Sequence, residues 1–201
     1  MSLNRRQQVG SWVGIFAVLG AVASPVIASA ASNTASTTIN AAIGSTISIS
    51  TSTTVAISLT PTAGGVVSSN SDAVAVSTNN SSGYILQLAD SDANTNLVNG
   101  SNNIAASAAS FATPAALGND KWGFAVAGLG TFDASYSAET NNGSSTSKWA
   151  PVSATGPGNT IKTTATTASG DTTTVWYGVK ATTASPNGTY TDTVTYTATT
   201  N

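Results

Sequence analysis

The chain has 201 residues, 40% of them hydrophobic and only 7% charged, with a formal net charge of −2 and neither histidine nor cysteine. Those absences exclude a disulfide scaffold, a Cys/His metal centre, a lipid-modified cysteine and any nucleophile activated by histidine. Beyond residue 30 there are four lysines (Lys121, Lys148, Lys162, Lys180) against eight acids, a net of −4, so the basic field that nucleic acid or an anionic membrane would need is missing.

The first thirty residues read as a secretory signal. Arg5 and Arg6 form a positive start, residues 9–22 are mostly apolar, Pro25 breaks the helix, and Ala28-Ser29-Ala30 offers small residues for cleavage after Ala30. The rival reading is an uncleaved anchor, but the apolar stretch is short for ~30 Å of hydrocarbon. Residues 31–45 form a small-residue, polar leader that is expected to be flexible. The rest, 46–201, is large enough for one apolar core.

Alternation begins at Thr46-Ile47-Ser48-Ile49-Ser50, which predicts a strand with both isoleucines on one face. Val55, Ile57 and Leu59 predict a second, ended by Pro61 and Gly64-Gly65. Val74 and Val76 mark a third, and the turn formers Asn79-Asn80-Ser81-Ser82-Gly83 close it. Tyr84, Leu86 and Leu88 mark a fourth, and Asn99-Gly100 predicts a hairpin between Leu97-Val98 and Ile104.

The alanine-rich stretch 105–117 is read as containing a helical turn before Pro114. Trp122, Phe124 and Val126 restore the strand period, and Phe132 and Tyr136 predict a short strand before a long polar loop. Val175, Tyr177 and Val179, the turn Ser185-Pro186-Asn187-Gly188, and Tyr190, Val194, Tyr196 and Ala198 predict a closing pair of strands. The threonines 191, 193, 195 and 197 lie on its wet face. The fold class expected is all-β, a single antiparallel sandwich of about eight to ten strands, immunoglobulin-like or pilin-like, following the signal helix. A closed barrel is its competitor.

The clearest candidate site is Asp90-Ser91-Asp92-Ala93-Asn94-Thr95-Asn96. Oxygen-bearing side chains at alternate positions (Asp90, Asp92, Asn94, Asn96) resemble the first half of a calcium loop. Thr95 stands where glycine is expected and Ser101 where the distal acid should be, and a loop of Asx turns gives the same pattern. Calcium is the only cofactor the residues point to.

Trp149 and Trp176 are candidates for an exposed sugar-binding platform, whereas Trp122 alternates with Phe124 and reads as core. No catalytic residues are predicted. A glycosidase would need two facing carboxylates, and neither Asp133 with Glu139 nor Asp90 with Asp92 has a supporting spacing. No Gly-x-Ser-x-Gly elbow exists. Lys180 with Asp192 or Asn187 on the expected partner strand is a further option, either an ion pair or an isopeptide cross-link.

The segments Ser77-Thr78-Asn79-Asn80-Ser81-Ser82-Gly83-Tyr84, Asn96-Leu97-Val98-Asn99-Gly100-Ser101 and Trp176-Tyr177-Gly178-Val179-Lys180 resemble exported β-sandwich proteins of Saccharibacteria-like candidate-phylum bacteria. The ending Gly188-Thr189-Tyr190-Thr191-Asp192-Thr193-Val194-Thr195-Tyr196 is also similar to closing strands of pilin-like surface domains. The resemblance implies a surface location and brings no catalytic residues.

The expectation is therefore a secreted or cell-surface structural or adhesive protein. Its partners would be other copies of itself, the envelope or a host surface. A carbohydrate-binding module is the alternative and a secreted hydrolase the third class. No nucleic acid is expected, and contact with membrane only through the signal segment before cleavage.

Overall fold

A computed structural model describes residues 31–201. The expected signal segment, residues 1–30, lies outside them, and with it the choice between cleavage and anchoring. Residues 31–42 carry no regular secondary structure and are exposed. The compact unit Ile43–Asn201 holds all the strands.

The described chain is all-β, without a helix. In order the strands are β1 (Ile47–Ser50), β2 (Val66–Thr78), β3 (Tyr84–Asp90), β4 (Leu97–Asn99), β5 (Asn102–Ala106), β6 (Ala115–Ala116), β7 (Lys121–Ala125), β8 (Lys148–Trp149), β9 (Asn159–Thr163), β10 (Ala168–Ala181) and β11 (Val194–Thr200). A six-stranded sheet runs β1-β2-β10-β7-β5-β4, a three-stranded sheet runs β11-β3-β9, and β6 pairs with β8.

Alternation sorts the side chains of the long strands. Val74 and Val76 of β2, Val175, Tyr177 and Val179 of β10, and Phe124 of β7 join Tyr84, Leu86 and Leu88 of β3 and Ile161 of β9 in one buried cluster. Each such side chain contributes about 1.5–3 kcal/mol by leaving water. Polar contacts cross between the sheets as well. The Tyr177 and Tyr196 hydroxyls lie 2.7 Å apart. Asp171 of β10 accepts from Lys162 Nζ of β9 at 2.6 Å and from the Tyr84 hydroxyl of β3 at 2.9 Å.

Several expectations need correction. The six-stranded sheet is mixed, because β5 and β7 pair in parallel. The loop of residues 107–120 between them is long enough for the crossover that a parallel pair requires. The alanine-rich stretch forms no helical turn: Ala105 and Ala106 pair with Lys121 and Trp122, and β6 follows Pro114. Pairing and burial there outweigh alanine's helix propensity. The short strand expected around Phe132 and Tyr136 is irregular chain.

The predicted closing hairpin does not form. Both edges of β10 are occupied, by β2 and β7, so the chain crosses to the other sheet and β11 pairs with β3. Lys180 thus stands opposite Val67 and Lys121 rather than Asp192. The Asn99-Gly100 hairpin forms, with its turn one residue later at Gly100 and Ser101. Gly100 has φ +60° at the first central position and Ser101 has no positive φ, as a type II′ turn requires.

Val55, Ile57 and Leu59 are half-buried against the core, yet residues 51–60 form no strand. Side chains hold this segment instead: Ala56 O accepts from Asn70 Nδ2 at 3.0 Å, and Thr60 N–H donates to Asn141 Oδ1 at 2.7 Å. The open edge at the start of β2 is covered by the long polar loop, where Val67 and Asn142 exchange N–H···O bonds of 3.0 and 2.8 Å. Covering an edge this way removes a template for unwanted strand addition.

Candidate functional site

Asp90 is the last residue of β3 and is 3% exposed. Its Oδ1 accepts from Asp92 N–H at 3.0 Å, and Asp92 Oδ1 accepts from Asn94 N–H at 2.6 Å, so two successive Asx turns fold the loop. Asp90 pairs with Val194 across the sheet, and Ser91 N–H donates to Thr193 O at 3.0 Å. That register brings Asp192 to Asp90. Asp192 Oδ1 accepts from Thr193 N–H at 2.8 Å.

The Oδ2 atoms of both Asp90 and Asp192 are buried without a hydrogen-bond partner. Burial pushes the Asp192 carboxyl up to about 6; the Thr193 N–H opposes this, while the Asp90 side chain and the Asp92 charge reinforce it. Two buried carboxyl oxygens without donors are costly unless a proton or a cation joins them.

Of the four expected calcium ligands, Asp90 and Asp92 lie in this cluster. Asn94 is exposed with its backbone N–H in the second Asx turn, and Asn96 is half-buried. Among the described residues, no group of three or more acidic, histidine or cysteine side chains is placed to hold a metal ion. Asp192, read from the sequence only as a partner for Lys180, was missed as a partner of Asp90 because the two are far apart along the chain, and only the β3–β11 register reveals the pair. The one sequence signal was the acid inside the closing strand motif.

The loop is anchored from below. Trp122, buried as expected, donates its indole N–H to Thr95 O at 2.9 Å. On the other side Val98 and Thr191 exchange backbone bonds of 2.9 and 3.0 Å, so the segment before β11 is clamped to β4. The same connection continues into a groove of about 470 Å³ lined by Ile57, Leu59, Leu97, Ile104, Val179 and Tyr190. No charged side chain lines it.

The expected exposed platform is corrected for Trp149, which is 1% exposed. Gly178 of β10 lies directly opposite Gly123 of β7, and together they leave a bed without side chains on the outer face of the sheet. Trp149 fills it: a Cβ on Gly178 would fall 2.7 Å from the indole Cζ2. Tyr136 packs edge-on against this ring, with centroids 5.4 Å apart. Trp176 is half-buried on the same outer face, opposite Val175 and Tyr177 as expected.

The other carboxylates hold loops. Asp133 accepts from Lys148 N–H at 2.8 Å, and Glu139 accepts from Asn142 Nδ2 at 3.1 Å and the Ser145 hydroxyl at 2.8 Å. Asp120 accepts from Thr182 N–H and the Ser185 hydroxyl. Burial alone would raise the Asp120 carboxyl, but these donors and Lys121 outweigh it and hold it below its ordinary value.

Comparison with protein-family models, characterised proteins and solved structures finds no match, so no residue role is transferred from a relative.

Proposed function

We propose that this is an exported bacterial surface protein with a structural and adhesive role, whose two main sheets face each other as a β-sandwich. The signal-like residues 1–30 support export. One core fed by both sheets supports the sandwich. The protein acts through non-covalent contacts with other copies of itself and with envelope or host surfaces.

The observation that carries this reading is the position of the exposed apolar side chains. Ile39 is 89% exposed, Ile43 87% and Ile49 40%; these are the exposed large hydrophobics among the described residues, and all lie at the N-terminal end. Ile39, Ala41 and Ile43 alternate with polar or small residues, a pattern that suits an added strand. β1, which follows in the chain, is an edge strand, paired only with β2. Leader and edge together offer a head-to-tail contact that repeats without closing, and so builds a fibre.

Sedimentation velocity over a concentration series tests the reading. The purified protein is expected to assemble as concentration rises, and Ile39→Asn with Ile43→Asn to remain monomeric. A wild-type protein that stays monomeric at high concentration and on cells would end the proposal. The sugar-binding alternative keeps only Trp176. It requires that Trp176→Ala abolish retention on glycans while the thermal transition stays put.

A further inference from the structure

The geometry points to a calcium ion bound between Asp90 and Asp192, pinning the end of β3 to the segment that enters β11. This goes beyond the proposed surface role and does not depend on it.

Two observations meet at this place. The first is a convergence of acids from distant parts of the chain: Asp90 and Asp92 on one loop, Asp192 on the other. The second is that the Asp90 side chain, at 3% exposure, carries a buried Oδ2 that no donor reaches, and the Asp192 carboxyl within hydrogen-bonding reach of it has a buried Oδ2 in the same condition. Each carboxyl already has its Oδ1 engaged by a backbone N–H, so the two free oxygens are held in place rather than free to turn towards water.

A shared proton would join the two oxygens but leave negative charge on the pair, next to Asp92. Among the described residues the ion pairs are Lys148–Asp133 and Lys162–Asp171, and neither involves this pair. A divalent cation neutralises both carboxylates at once. The donors are hard oxygens with no imidazole or thiolate in the chain, which selects calcium or magnesium over zinc. Magnesium demands a near-ideal octahedron and gives up water reluctantly, whereas calcium accepts irregular oxygen sets completed by water and backbone carbonyls. With two carboxylates as direct ligands, the affinity belongs in the range of extracellular calcium modules, about 10⁻⁴–10⁻³ M.

This revises the ligand set read from the loop alone. Asp90 stays, Asp192 replaces the two asparagines, and exposed Asp92 adds field rather than a bond.

The test is calcium binding by equilibrium dialysis at pH 7.5, together with thermal unfolding in EDTA, in CaCl₂ and in MgCl₂ at matched ionic strength. One calcium per chain is expected, with saturating calcium raising the midpoint by about 2–4 °C, as linkage predicts for a domain of this size. Asp192→Asn should lose both responses and, in EDTA, melt above the wild type because a like-charge contact is gone. Asp90→Asn should also lose the calcium response. The inference is overturned by no bound calcium, by an equal response to magnesium, or by an Asp192→Asn protein that still responds. A wild-type midpoint that rises on acidification through about pH 6 yet ignores calcium would assign the pair a shared proton instead. Should Asp192→Asn fail to fold, the wild-type stoichiometry and the calcium–magnesium difference decide alone.

Discussion

Two buried aspartate regions of this molecule have opposite characters. Asp72, 4% exposed on the inner face of β2, receives the Thr51 hydroxyl and the Ser52 N–H. Burial alone would raise its carboxyl, but those donors outweigh it and hold it below the ordinary value. Asp192 meets Asp90 with no donor to either Oδ2, and its carboxyl is raised. Burial alone does not set the character of an acid. The supply of donors does: Asp72 is satisfied within its own fold, whereas no donor reaches Oδ2 of Asp90 or of Asp192.

The largest effect expected from this contrast is on Asp72. Asp72→Ala removes hydrogen bonds to a buried charge and leaves the Thr51 and Ser52 donors unpaired, costing about 2–3 kcal/mol in chemical denaturation. A cost below ~0.5 kcal/mol would mean that the donors find water and the region is not closed.

Second in size is the pH profile, where the two regions carry opposite signs. Asp192 has a folded pKa above its unfolded value, so the folded state binds more protons between about pH 4 and 6. In EDTA its contribution improves as pH falls from 7 to 4, by about 1–2 kcal/mol after allowing for solvent screening. Asp72 has a lowered pKa, so its stabilisation is present above about pH 4 and lost as pH falls through the folded value. Asp192→Asn should flatten the first limb and leave the second unchanged. An unchanged first limb would show that Asp192 is not the group responsible. The smallest effect belongs to Asp92→Asn: the side chain is exposed, and a change within about 0.5 kcal/mol is expected.

Much of the fold was legible because alternation reports which side chains face inward. Tyr84, Leu86, Leu88, Val74, Val76 and Val175 all lie in the core where their spacing put them. Alternation does not report what the backbone pairs with. Val55, Ile57 and Leu59 share the period of β10, yet they lie against the core without a ladder. Partner choice depends on which edges are free. That is why β10, flanked on both sides, could not form the closing hairpin that its turn residues announced.

The tryptophans teach a similar lesson. A tryptophan in a polar loop reads as exposed because its slot is made by residues that leave no pattern of their own. Here the slot is Gly123 beside Gly178, recognisable only once their register is known. Gly178→Ala should therefore displace Trp149 and destabilise the protein by about 1–3 kcal/mol, with a change in tryptophan fluorescence. The acid pair was half legible: Asp90 and Asp92 stood out in one loop, while Asp192 needed the β3–β11 pairing.

The proposed role rests on the folded domain standing outside the cell, and the absence of cysteine allows a direct measurement. Thr197 lies on the exposed face of β11, so Thr197→Cys gives the chain a single thiol. Treating intact producing cells with a membrane-impermeant maleimide should label this protein as fully as treating lysed cells. Labelling only after lysis would contradict a surface location and remove the basis for assembly there.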